Sequence, residues 1–425
     1  MRWQQRVNYA ARTDVGMRRQ NNEDSHIERL ASSADDFAAH GHLFVVADGM
    51  GGHAVGELAS KLAVETVSHL AFLKNGSRAA VLREAITEAN ATINARGTHN
   101  RDFERMGTTC TALSLSPEGA ILGHVGDSRA YRVRRDRIDQ LTFDHSVEWE
   151  VRRRHGGKVD AELLRQHRNV ITRSLGPEAT MEVDIEGPHP VFPGDRFLLC
   201  SDGLTGLVDD DEIGLIVRVM PPKESVRLLV DLANLRGGND NCTVSVVDVG
   251  ELPHGAPPPP DVTPAAPVWT APWQYVMALA LAALFVAAGL VVWATSSFPA
   301  GATLLAIGGL GAIPTFIALM RDRKQVMATI DARNDDSRTM QARAHATAVA
   351  RPLVEMVGEL QSAAEELQSA AREDGWPVAW DQHDRASRAA RAAAEEKRFV
   401  VALREQAQAI HLLMRGLQSL RTGVS

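Results

Sequence analysis

Cysteine is scarce in this 425-residue chain: there are three, Cys110, Cys200 and Cys242, and no two form a CxxC pair. That excludes a disulfide framework and a cysteine-ligated zinc site. Three lone thiols inside apolar runs are expected to be reduced core residues of a cytoplasmic domain. Long basic blocks are missing too, and the net charge is −7. Nucleic acid is therefore not an expected partner. The opening Met1-Arg2-Trp3-Gln4-Gln5-Arg6 lacks an apolar run, so no cleaved signal peptide is expected.

A further absence is local. No Asp, Glu, Lys or Arg occurs from Val262 to Met320. Within that window Trp273–Trp293 and Phe298–Met320 are each about 20 residues long, enough to span a bilayer core. Trp269, Trp273, Tyr275 and Trp293 stand where an aromatic belt would lie. The competing reading is a buried helix pair of a soluble protein, but uniform apolarity with Trp at the edges is rare there. The connection Ala294 to Ala300 is short, so the two spans are expected to form a hairpin. Arg321-Asp322-Arg323-Lys324 follows directly and fits the positive-inside rule. Both flanks of the hairpin are thus expected on the cytoplasmic side of the inner membrane.

Composition divides the chain into a domain over 1–250, a Pro/Ala-rich linker over 251–272, the two-span hairpin over 273–320 and a helical cytoplasmic tail over 321–425. In the first region Ala54–Leu73, Arg78–Arg96 and Glu224–Leu235 carry helical periodicity. Short strand-like runs alternate with these helices, among them Thr109–Leu115 and Ala130–Arg134. The pattern predicts a layered α/β domain with mostly antiparallel strands. The polar stretch Glu148–Arg173 looks like an excursion from that core. In the tail, Leu353 to Ala371 and Phe399 to Leu417 repeat apolar residues every three or four positions, and Trp376-Pro377 breaks the pattern. Two amphipathic helices are expected, folding back as a hairpin or pairing with another chain.

Acidic motifs sit where apolar runs begin or end. Leu43–Ala47 leads into Asp48-Gly49-Met50-Gly51-Gly52-His53, and Leu122–Val125 into Gly126-Asp127-Ser128-Arg129. Phe197–Ser201 leads into Asp202-Gly203, and Gly238-Asn239-Asp240-Asn241 opens the run Cys242–Val249. Carboxylates at strand ends can converge at one sheet edge. Each close pair then costs roughly 4 kcal/mol at an effective dielectric of about 20. A divalent cation removes that cost, and hard oxygen donors favour Mg²⁺ or Mn²⁺. The residues alone thus point to a metal-dependent hydrolytic site.

A fifth motif, Arg19-Gln20-Asn21-Asn22-Glu23-Asp24, stands near the N-terminus, and Met106–Thr109 reads MGTT. Taken in order, these motifs resemble the metal-dependent protein phosphatases of type 2C, specifically the bacterial serine/threonine phosphatases, over about residues 7–249. The resemblance implies an α-β-β-α sandwich of two mostly antiparallel sheets flanked by helices. It implies hydrolysis of phosphoserine and phosphothreonine in proteins, opposite serine/threonine kinases in bacterial signalling. Two Mn²⁺ or Mg²⁺ ions are implied, with a third at a weaker site, and attack by a hydroxide bridging the first two. By the same resemblance Asp48 bridges the ions, the Gly49 carbonyl ligates one, and Asp202 and Asp240 complete the first. Glu23 serves the second, with Asp24 as neighbouring support, and Asp127 with Asp202 matches the third. Arg19 matches the arginine that grips the substrate phosphate, which a bidentate guanidinium suits. Some members carry His directly after the Asp-Gly pair as a proposed general acid. Met50 stands here instead, and His53 is expected to be structural.

Two other classes compete. A phosphoprotein- or metal-binding pseudoenzyme would be favoured by loss of a core aspartate, and none is lost. A structural Ca²⁺ domain would need a contiguous loop of alternating Asp and Asn, and none is present.

Overall fold

The computed structural model describes residues 7–52, 54–103, 106–154, 170–250 and 344–422, together with helical fragments between 283 and 292 and residue 302. Two compact units divide the chain: Met1–Pro259 with Ala342–Ser425, and Pro260–Gln341.

The first unit is built on two antiparallel sheets. One holds, in spatial order, β1 (Asn8–Asp14), β11 (Cys242–Asp248), β10 (Arg196–Cys200), β7 (Arg129–Arg134), β8 (Arg137–Gln140) and β12 (Ala346–Val349). The other runs β2 (Asp24–Arg29), β3 (His42–Met50), β5 (Cys110–Ser116), β6 (Gly119–Val125) and β9 (Asp184–His189), with the short β4 (Gly107–Thr108) paired to β3. Strand alternation decides the layering. Phe44 and Val46 of β3 point between the sheets, against Leu113, Leu122, Phe197 and Leu199. Leu43, Val45 and Ala47 point outward, onto α2 (Ala54–Leu73) and α3 (Arg78–His99). On the opposite outer face, α6 (Asp210–Val219) and α7 (Pro222–Leu235) cover the first sheet. The expected α-β-β-α sandwich is thereby observed. Its helices start on local signals: Ser77 Oγ accepts the Ala80 N–H at α3, Asp209 and Glu212 form a capping box at α6, and Pro222 opens α7. Smaller helices are α1 (Ala34–His40), α4 (Val147–Arg154) and α5 (Asp202–Thr205).

The tail departs from its sequence reading. It contains a strand, β12, and three helices, α8 (Leu353–Glu373), α9 (Trp380–Glu395) and α10 (Phe399–Thr422), where two were expected. Nor does it stand apart from the first region. β12 extends the sheet through β8, and Met356, Leu360, Leu403, Ile410 and Met414 share one core with Val226, Leu229 and Ala233 of α7. Those amphipathic faces pack against α7 of the same chain.

The linker and almost all of the two expected spans lie outside the described residues, as does 155–169 of the Glu148–Arg173 excursion. Among the described residues no helix is long and apolar enough to cross a membrane.

Candidate metal centre

Every acidic motif reaches the same edge of the sandwich. Asp24 opens β2 directly opposite Asp48 near the end of β3. Asp127 follows β6, Asp202 opens α5 immediately after β10, and Asp240 precedes β11. Backbone anchors hold these positions. The Asp48 N–H donates to Thr109 Oγ1 at 2.8 Å, and its carbonyl accepts from Thr108 Oγ1 at 2.9 Å. Asn241 Oδ1 accepts the Glu23 N–H at 2.8 Å, while Asn241 Nδ2 donates to the Val15 and Asn21 carbonyls. Ser201 Oγ donates to Asp24 Oδ2 at 2.7 Å.

Two glycines permit the close packing. Gly16 has φ +77°, and a Cβ there would stand 2.1 Å from the Asp240 carbonyl oxygen. A Cβ at Gly56 would stand 2.0 Å from Glu23 Oε2. Larger residues would push the Arg19–Glu23 segment off the Asp240 loop and off α2.

Charge is concentrated and little compensated. Burial pushes Asp24 up to about 7 against the hydrogen bonds from Thr243 and Ser201, and Asp202 and Asp240 push it the same way. Burial, then Asp202 and Asp144, carries Asp127 up to about 8. Asp48 lies well above the carboxylate range through burial and then the charges of Asp24, Asp202, Asp127 and Asp240. Asp202 is raised by burial and Asp240. Asp24 Oδ1 and Asp127 Oδ1 are buried with no hydrogen-bond partner. Orphaned anionic oxygens facing like charges are a donor set for a hard cation. Side chain by side chain, the residues fit a divalent metal.

Arg19 Nη2 donates to Asp240 Oδ2 at 2.7 Å, so the arginine expected to grip phosphate and an aspartate expected to ligate metal form an ion pair here. Both are solvent-accessible, at 48% and 37% side-chain exposure, which leaves the pair free to exchange partners. Among the described residues no group of three His, Cys, Asp or Glu side chains stands ready as a complete ligand set. Glu23 is buried at the start of β2, and Gly49 pairs with Thr108 across β3 and β4. His53 lies outside the described residues.

Sequence reasoning undervalued Asp24, read only as support for Glu23, although it lies inside the cluster. Asn241 and Thr109 appear in the sequence only as members of motifs with no role of their own, because their work is to bind backbone far away along the chain. The polar MGTT and Asn-Asp-Asn clusters at strand starts were the available signals.

Residues 23–232 match the family model described as protein phosphatase 2C. The serine/threonine phosphatase stp of Listeria welshimeri is 34% identical over 252 residues, covering 57% of this chain and 96% of that protein. The chain belongs to the protein phosphatase 2C family. The serine/threonine protein phosphatase PstP of Mycobacterium tuberculosis is 37% identical over 258 residues, covering 60% of this chain. The chain spans about half of PstP, 47% of its length. Among solved structures, the M. tuberculosis phosphatase PstP/Ppp superposes with a TM-score of 0.50 at 35% identity, over 58% of this chain and 99% of that one. The Streptococcus agalactiae serine/threonine phosphatase gives 0.51 at 31% identity, over 57% and 99%. The region over 23–232 is thus a 2C-type protein serine/threonine phosphatase domain, and β12 with α8–α10 lies outside the residues matched by the family model.

Proposed function

We propose that the whole chain is a metal-dependent protein serine/threonine phosphatase, held at a membrane by its uncharged segment and acting on phosphoproteins opposite serine/threonine kinases. The observation that carries the reading is the cluster of buried Asp24 and Asp127 with half-buried Asp48 and Asp202, mutually repelling and holding two unpartnered oxygens. Asp48, Asp202 and Asp240 would hold one Mn²⁺ or Mg²⁺, and the Gly49 carbonyl would ligate one of the two ions that share Asp48. Glu23 and Asp48 would hold a second, and Asp127 with Asp202 a third. Such ions keep several waters, so each needs few protein ligands, which agrees with side chains that form no closed set. When bound, the metals supply a water of lowered pKa and neutralise charge developing on the phosphoryl oxygens.

The protein's own part is capture and alignment. Arg19 exchanges Asp240 for two phosphate oxygens when the phosphoserine or phosphothreonine enters. Thr108 and Thr109 keep the Asp48 backbone fixed while its carboxylate changes partners. No thiol takes part: Cys110, Cys200 and Cys242 are fully enclosed, and burial pushes Cys110 up to about 12 and the other two higher than usual as well. Hydrolysis therefore proceeds without a cysteinyl phospho-enzyme. With Met50 after Gly49, the leaving-group proton must come from solvent at the site.

Release of phosphate from a phosphothreonine peptide, with Mn²⁺ and with chelator, tests the reading. Activity should appear only with the metal and return when metal is restored. Asp48→Ala, Asp202→Ala and Asp240→Ala should each lower kcat at least about a hundredfold. Full activity in chelator would refute the assignment.

A further inference from the structure

The last turn of α10 reaches the loop that carries Arg19. Arg421 donates through Nη1 to the Gly16 carbonyl and through Nη2 to the Arg19 carbonyl, spanning the turn from both ends. One turn earlier Gln418 Nε2 donates to Asp14 Oδ2 at 3.1 Å, where β1 ends. The other side of the loop rests on the Asp240 segment, with Met17 N and Arg18 N donating to the Gly238 carbonyl at 2.7 and 3.1 Å. The phosphate-binding loop is thus held between a metal-ligand loop and the C-terminal helix. The helix is itself fixed. Arg404 makes two 2.6 Å bonds to Glu224, His411 pairs with Asp231 at 2.8 Å, and Leu403, Ala407, Ile410 and Met414 are buried against α7. A guanidinium bridging two carbonyls of one turn fixes that turn's backbone and so the starting point of the Arg19 side chain.

We propose that Arg421, assisted by Gln418, is a positioning residue for phosphate capture, through which the C-terminal helical region sets the affinity of the site. Arg421 bonds the Gly16 and Arg19 carbonyls and so acts on Arg19 through its backbone. The inference rests on the reading of Arg19 as the residue that grips phosphate.

The test is steady-state hydrolysis of a phosphothreonine peptide by the full chain with saturating Mn²⁺. Arg421→Ala should raise KM about three- to tenfold, as expected for losing charge-assisted bonds to one turn, and leave kcat within about twofold. Arg421→Lys keeps the charge but cannot span both carbonyls, so it should show an intermediate KM. Gln418→Ala should move KM the same way by less. Arg404→Ala, on the same helix but far from the loop, should leave KM unchanged. In an Arg19→Ala background, Arg421→Ala should add nothing further.

A wild-type KM for Arg421→Ala, in a protein whose KM does respond to Arg19→Ala, overturns the positioning role and leaves the phosphate reading standing. A KM that ignores Arg19→Ala overturns both. An equal rise from Arg404→Ala, or an Arg421→Ala effect that multiplies with that of Arg19→Ala, reduces Arg421 to general docking and also overturns the proposal.

Discussion

Asp48 illustrates how a single residue can favour function at the expense of stability. It is half-buried, and desolvation together with the charges of Asp24, Asp202, Asp127 and Asp240 holds its carboxyl well above the usual range. Asp48→Asn should therefore abolish activity yet melt in chelator a few degrees higher than wild type. Calorimetry of both proteins in chelator checks this, and a lower melting point for the variant would mean that the cluster stabilises the fold. Outside the site, His124 sets a pH limit. It is wholly enclosed, with Nε2 at 3.0 Å from the Phe143 carbonyl and Nδ1 at 2.9 Å from Thr111 Oγ1. Burial, with His145 adding to it, lowers its pKa to about 3. Below the unfolded value of about 6.5 the unfolded chain takes up a proton that the native state refuses. Stability is thus lost as pH falls from about 6.5 towards 3, by at most about 1.4 kcal/mol per pH unit. The stability advantage of wild type over His124→Gln should shrink between pH 7 and pH 5, and a constant gap would remove His124 from the acid response. At this scale Asp48, Asp127, Asp202 and Asp240 were legible because each stands where an apolar run begins or ends. The Arg19–Asp240 pair was not, since 221 positions separate its members and only the fold joins them.

Elements were legible where their periodicity was strong. Ala54–Leu73 is a helix with the expected bounds, and β3, β6 and β10, which lead to Asp48, Asp127 and Asp202, lie where apolar runs placed them. β1, reading Asn-Tyr-Ala-Ala-Arg-Thr-Asp, and β8, only four residues long, are too polar or too short to stand out and exist through pairing with β11 and β7. The break between α9 and α10 was hidden for another reason. Lys397 adopts φ +59°, a conformation that no glycine or proline announced. The tail's attachment was equally hidden, because an amphipathic face does not name its partner. Leu403 gives that attachment a measurable form, being fully buried in the core that α10 shares with α7. Leu403→Ala should cost about 2–5 kcal/mol. Because the core is shared, it should lower a single melting transition in which helicity and phosphatase activity disappear together. Two separate transitions, with activity surviving the first, would mean that the tail folds independently of the phosphatase domain.

For the whole molecule, the shared core constrains topology. β12 hydrogen-bonds to β8 along Ala346–Val349, and Arg351 reaches Asp211 at 2.9 Å, so the chain beyond residue 344 lies on the same side of any membrane as the phosphatase domain. A segment that leaves the domain at 250 and rejoins it at 344 must cross a bilayer an even number of times. The uncharged window from Val262 to Met320 has room for two crossings of about 20 residues each. By the positive-inside rule Arg321-Asp322-Arg323-Lys324 would place its exit on the inner face, the side on which the proposed phosphoprotein substrates would be met. An epitope inserted in the full chain at Gly255, at Ser297 or after Ser425 reads this out in intact cells. The middle epitope should be reached from outside, and the two flanking ones only after the membrane is opened. If the C-terminal epitope is reached from outside, the chain crosses once, and β12 cannot pair with β8 in the cell. If the middle epitope stays hidden while the protein remains with the membrane, the window lies on the bilayer without crossing it, and the same-side constraint is met with no crossing at all.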